Sequence, residues 1–111
     1  MSVSYLVFYQ GEAADNAAFI ERYKKVHVPI LQTFPGILAV RVHEPTPLED
    51  HQPVNAGGFL LICEMIFADD ARLAAALASP ERAAAREDFK RFPMFDGQIW
   101  HQAMRTEDAV P

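Results

Sequence analysis

The sequence predicts an α+β fold, a four-stranded antiparallel sheet carrying both of its helices on one face, on three observations. Four short segments, 3–9, 37–44, 58–67 and 98–105, are rich in β-branched, aromatic and aliphatic residues that sort into two faces as strands do. Two intervening segments, near 16–26 and 70–91, repeat apolar residues at helical spacing behind capping residues. The order is then strand, helix, strand, strand, helix, strand, which closes with right-handed connections as the ferredoxin-like βαββαβ arrangement.

Each element has a local reason. In the first strand Val3, Tyr5, Val7 and Tyr9 share one face, with Leu6 and Phe8 on the other, so both faces need cover. Gly11 to Ala14 turns the chain, and Asp15 or Asn16 caps an amphipathic helix of about three turns that places Phe19, Tyr23 and Val26 inward and Glu21, Arg22, Lys24 and Lys25 outward. Pro29 biases Val28 away from helical geometry, so His27 is expected at a helix end. Ile30 to Phe34 makes a further short turn, stopped by Pro35-Gly36.

The second strand alternates, with Leu38, Val40 and Val42 on one side and Ile37, Ala39, Arg41 and His43 on the other. Pro45 to Gly57 is a long proline-rich loop with His51 in its middle. Gly58 to Phe67 is the most continuous apolar run and reads as a strand buried on both faces, with Glu64 its one acid. That carboxylate needs a partner, for which Arg41, His43 and His101 are available. Ala68-Asp69-Asp70 caps a helix over about 70–78, and Ser79-Pro80 restarts it toward Arg91 with Ala85, Phe89 and Phe92 in register. Gly97 precedes a last strand with Trp100, Gln102 and Met104 on one face and Ile99, His101 and Ala103 on the other; residues 106–111 form a polar tail.

At 111 residues the chain has the length of one domain, spanning 1–105. Its net charge is −5 and its densest basic cluster is Lys24-Lys25, so no nucleic-acid partner is expected. No apolar run spans a bilayer and no leader precedes the first strand, which points to a cytoplasmic protein without a membrane partner. Cys63, the single cysteine, excludes an internal disulfide and reads as a small buried residue. With the helices on one face, residues such as Leu6, Phe8, Ile62 and Phe67 cannot all be covered within one chain, and a homodimer joined through the bare sheet face follows.

The chemistry-bearing residues centre on Tyr23 and His27, four apart and so on one helical face. An imidazole titrates near neutral pH and moves a proton without a metal, although a helix-end histidine also serves simply to bind a carbonyl. Four histidines without an i, i+4 pair make no metal-ligand spacing, so neither a metal nor a cofactor is expected.

Taken together, Tyr23-x-x-x-His27-Val28-Pro29, the following Pro35-Gly36, Ser79-Pro80-Glu81, Asp88 and Phe92 resemble the EthD family of the dimeric α+β barrel superfamily, from Val3 to Met104. The family is named for a gene beside a cytochrome P450 system that degrades ethyl tert-butyl ether in bacteria, and its fold relatives include lactone isomerases, polyketide cyclases, decarboxylases, dehydratases and cofactor-free monooxygenases. The resemblance to small methylmuconolactone isomerases implies catalytic roles for His27 and His51, with Tyr23 assisting. Val40 stands where those enzymes have a strand tyrosine and Met65 near their cysteine. The polar trio of the cofactor-free monooxygenases has no match, which favours proton transfer over oxygen chemistry. Phe89, Phe92, Asp88 and Trp100 complete the expected substrate-binding set. The implied function is isomerase- or lyase-type chemistry on a small hydrophobic molecule; the alternative is a non-catalytic ligand-binding accessory to an oxygenase system.

Overall fold

A computed structural model of the chain describes residues 1–110. In chain order the elements are β1 (Ser2–Ala13), α1 (Asn16–Arg22), a π-helical turn (Tyr23–His27), α2 (Val28–Leu31), β2 (Ala39–His43), β3 (Phe59–Phe67), α3 (Asp70–Leu77), α4 (Pro80–Phe89) and β4 (Phe95–Thr106). The sheet order is β2-β3-β1-β4 with every neighbouring pair antiparallel, which is the ferredoxin-like α+β arrangement the element order predicts. No helix is long and apolar enough to cross a membrane.

The register fixes the faces. Val7 opposes Cys63 and His101, while Phe8 opposes Ile62 and Trp100. Because opposed residues point the same way, Val3, Val7, Tyr9, Leu61, Cys63, Met65 and Phe67 face the helices and are buried. Leu6, Phe8, Ile62, Trp100 and Met104 then share the opposite face, where Trp100 is 52% and Met104 48% exposed. Phe67 therefore belongs under the helices rather than to the bare face, and β3 is fully buried on one face and half-covered on the other.

The strands are longer than the residue pattern predicts at the β1–β4 pair. Gly11 opposes Gly97, and a Cβ on Gly97 would stand 2.1 Å from the Gln10 carbonyl oxygen. Two facing glycines let the backbones continue together through a point that a side chain would block. Thr106 closes β4, residues 107–110 carry no regular structure, and Pro111 lies outside the described residues.

The first helical segment departs from expectation at Pro29. Val28 keeps helical dihedrals, φ −57° and ψ −45°, and the helix runs on to Leu31 instead of ending at His27. The Val28 amide donates to the Tyr23 carbonyl five residues back, so the turn before the proline is widened. A proline ring presses on the carbonyl four residues earlier and donates no hydrogen bond; one π turn accommodates both defects without a break. At the start, Asp15 caps α1 by accepting from the Ala18 amide at 3.0 Å, while the Asn16 side chain accepts from the Ala13 amide at 2.8 Å. Ser79 occupies the cap position of α4, but its hydroxyl donates back to the Ala76 carbonyl and makes no capping bond.

Candidate active site

The helix layer and the sheet enclose a cavity of about 470 Å³, within the roughly 300–1,000 Å³ usual for small-molecule sites. Its floor is the helix-facing side of the sheet, with Val7, Tyr9, Met65, Ile99 and His101. Tyr23, His27, Leu31 and Phe34 form one wall, and α4 contributes Ala85 and Phe89 to the other.

His27 is 6% exposed and Asp88, the last residue but one of α4, is 4% exposed. His27 Nδ1 lies 3.0 Å from Asp88 Oδ2, and the other carboxylate oxygen takes an ion pair from the Arg22 guanidinium. Burial opposes the ionised form of Asp88, yet the bonds from Arg22 and His27 outweigh it and hold the carboxyl below its usual range. An ionised carboxylate only accepts, so His27 is the Nδ1–H tautomer and its Nε2 carries the lone pair. Burial, and secondarily Arg22, hold the imidazole below its ordinary value although Asp88 pulls it up, so the ring is neutral at pH 7. The hydrogen-bonded histidine also meets Phe92 edge to face at 5.3 Å between centroids, which fixes the plane of its ring.

The π turn is what brings these groups together. In an α-helix residues five apart are swung about 140° from each other, which would aim Arg22 and His27 at different neighbours. A return bond spanning five residues stacks them instead, and both converge on Asp88. Tyr23 remains beside His27, with ring centroids 4.8 Å apart.

Tyr23 is buried, and its hydroxyl accepts from Tyr9 at 3.3 Å. Burial pushes both phenols well above their ordinary values, so both stay protonated. The Cys63 thiol is pushed up to about 11, mainly by burial, which fits a small buried residue and not a nucleophile.

Of the other residues singled out in the sequence, Phe89 lines the cavity and Phe92 stands behind it against His27. Asp88 is no solvated helix residue: both its oxygens are taken by protein groups, so it holds the base and not the ligand. Trp100 is on the opposite sheet face, donating from Nε1 to Gln10 Oε1 at 2.9 Å, and so lies outside the cavity wall. His51 is exposed on the 44–58 loop and is not part of that wall either. Glu64 accepts from Ser4 at 3.2 Å and lies 3.3 Å from His43 and 3.6 Å from Arg41, whereas His101 is on the other face. That cluster is half-exposed and remote from the cavity. Among the described residues no three His, Cys, Asp or Glu side chains gather as metal ligands do.

Two features were missed by residue patterns. Arg22 reads as a solvated residue until the π turn rotates it. Arg82, Arg86 and Lys90 all line the cavity, and their four-residue spacing on one helix face was a readable signal.

Comparison with known proteins identifies the family and the fold. A family model described as the EthD domain matches residues 11–95. No functionally curated protein matches the sequence significantly. Among solved structures, an ethyl tert-butyl ether degradation (EthD) family protein from Bacillus halodurans C-125 is 24% identical with a TM-score of 0.76, over 96% of this chain and all of that one. A monooxygenase from Streptomyces coelicolor, crystallised with nanaomycin D, is 15% identical with a TM-score of 0.68, over 99% of this chain and 91% of its own. A cofactor-independent oxygenase from Streptomyces nogalater is 11% identical with a TM-score of 0.68, over 99% of this chain and 97% of its own. At these identities the solved structures share the fold with this chain.

Proposed function

Because the chain belongs to the EthD family, we propose that it catalyses cofactor-free proton transfer on a small apolar organic molecule, with His27 as the base. The observation that carries this reading is the buried Asp88–His27 couple at the wall of an apolar cavity. Asp88 fixes the tautomer and stabilises the imidazolium that forms, as a carboxylate behind a catalytic histidine does. Nε2 removes a proton from carbon α to a carbonyl, as in a β,γ-unsaturated lactone or ketone, and the electron pair moves onto the carbonyl oxygen to give a dienolate. Tyr9 donates to Tyr23, which leaves the Tyr23 proton for that oxygen; its other neighbour, the neutral Cys63 thiol, is a weak acceptor. The imidazolium then returns the proton to another carbon of the conjugated enolate. The product is an isomer, with no atom gained or lost. In the proposed dimer a second copy covers Leu6, Phe8, Ile62, Trp100 and Met104, the apolar side chains of the sheet face that carries no helices, where Trp100 is 52% and Met104 48% exposed.

The test is deuterium uptake at the α-carbon of γ-lactones and cyclic ketones incubated with the protein in D2O, followed by proton NMR. Uptake is expected with the wild type and should be lost in His27→Ala, while ligand affinity is retained. A bound probe that never exchanges would favour the alternative, a carrier serving an oxygenase.

A further inference from the structure

The wall of the cavity carries five basic side chains, His27, His101, Arg82, Arg86 and Lys90, and not one aspartate or glutamate. The chain as a whole has 15 acids against 10 lysines and arginines, so this is a reversal of the overall balance. The three that are cations at pH 7, Arg82, Arg86 and Lys90, follow at four-residue intervals along one face of α4 and its C-cap, above a pocket that is otherwise aliphatic and aromatic apart from the two imidazoles. From this we infer that the ligand is an organic monoanion, an apolar ring body carrying a carboxylate that is held at the mouth by the cations of α4. The inference rests on the proposed function for the identity of the site and adds the class of molecule it takes.

The charge state follows from how the three cations are already engaged. Lys90 is shared with Glu87 at 2.8 Å, and Arg82 donates one Nη1 hydrogen to the Leu77 carbonyl at 3.2 Å. Among the described residues Arg86 makes no ion pair and Arg82 none with a carboxylate. The uncompensated charge at the mouth suits one carboxylate, whose two oxygens match the planar guanidinium fork, better than a dianionic phosphate. Burial and the neighbouring Arg82 keep the His101 imidazole below its ordinary value, as expected where the local potential is positive. The aromatic walls, Tyr5, Tyr9, Tyr23, Phe34 and Phe89, are chemically suited to a flat ring.

The experiment compares 2-naphthoate with the neutral isostere 2-naphthamide by calorimetric titration. In low salt the carboxylate should bind on the order of tenfold more tightly, each exposed cation contributing a few-fold. The advantage should fall to about threefold or less in Arg82→Gln/Arg86→Gln, persist in Arg86→Lys, and erode between about 20 mM and about 500 mM KCl while amide binding holds steady. Should the double variant fail to fold, the salt series on the wild type decides alone. Equal affinities, an advantage indifferent to salt, or no binding of either probe would overturn the inference. Deuterium uptake by neutral ketones is read separately. Charge preference without exchange supports this inference while sinking the reading of His27, and exchange without preference does the reverse.

Discussion

Replacing Asp88 with Asn preserves shape while removing one charge, and it tests the core of the site without any ligand. Asp88 accepts a buried hydrogen bond from His27 at 3.0 Å, an interaction with a charged acceptor worth about 1.5–3 kcal/mol. It also pairs with Arg22, whose side chain is 27% exposed, which limits that contribution to about 1 kcal/mol. An amide still accepts one bond, worth about 1 kcal/mol, so the expected net loss is about 2 kcal/mol. For a domain of this length each kcal/mol lowers the melting point by about 4 °C, giving a fall of about 8 °C in calorimetry. The His27 titration gives the sharper result. With the carboxylate gone, burial and Arg22 remain, and both lower its pKa. The ring resonances in NMR should therefore titrate at lower pH than in the wild type, and deuterium uptake should drop by about 100-fold or more as the tautomer is lost. A His27 midpoint that stays put or rises would refute the pairing, whatever happens to the melting point.

Stability should fall in two stages on acidification. His27 is held below its ordinary value of 6.5, so below about pH 6.5 the unfolded chain binds a proton that the folded one lacks, and stability is complete only above that pH. Asp88 is held below 3.8, and its contribution is present above that value and lost as pH falls through the folded one. Urea midpoints measured from pH 8 to pH 3 should decline from the first boundary in the wild type, and that early decline should be shallower in His27→Gln, where only the part owed to the similarly lowered His101 remains. With its thiol at about 11 against an ordinary 9.0, Cys63 should react with iodoacetamide at pH 8 at least about 100 times more slowly in the native protein than in denaturant; comparable rates would place it outside the core. Trp100→Lys puts a charge on the bare sheet face, and light scattering should show the proposed dimer dissociating to monomer. An unchanged mass would move the interface elsewhere.

The fold was legible because it depends on local periodicity and simple punctuation. Alternation in β1, β2 and β4 sorted side chains onto the faces where the register puts them: Val40 and Val42 inward, Arg41 and His43 outward toward Glu64. Asp15, Asp69 and Pro80 marked helix starts at the residues where α1, α3 and α4 begin. Where a residue's setting depends on another segment the pattern was silent. The β1–β4 pair runs past the expected ends because two glycines face each other across it, a relation that neither segment carries alone.

The site was half legible, for a reason tied to one bond. Tyr23 and His27 can be paired by any helical rule, since residues four apart are neighbours. The group that gives the histidine its tautomer is 61 residues away, and the group holding that carboxylate ionised is Arg22, which an ideal helix would turn away. Pro29 announces trouble, but a proline ends a helix in one context and widens it in another; packing selects between them. Here Phe19, Tyr23 and Leu31 are all buried in the same core, so breaking the segment after His27 would expose one end of it. Widening keeps all three in place and rotates Arg22 under His27. The proline thus places the base at Asp88 by favouring a turn that spans five residues, which predicts that Pro29→Ala, by permitting an ordinary α turn, loosens the Arg22–Asp88–His27 convergence and disturbs the packing of Phe19, Tyr23 and Leu31 with it, read as a lower melting point and a displaced His27 titration in NMR.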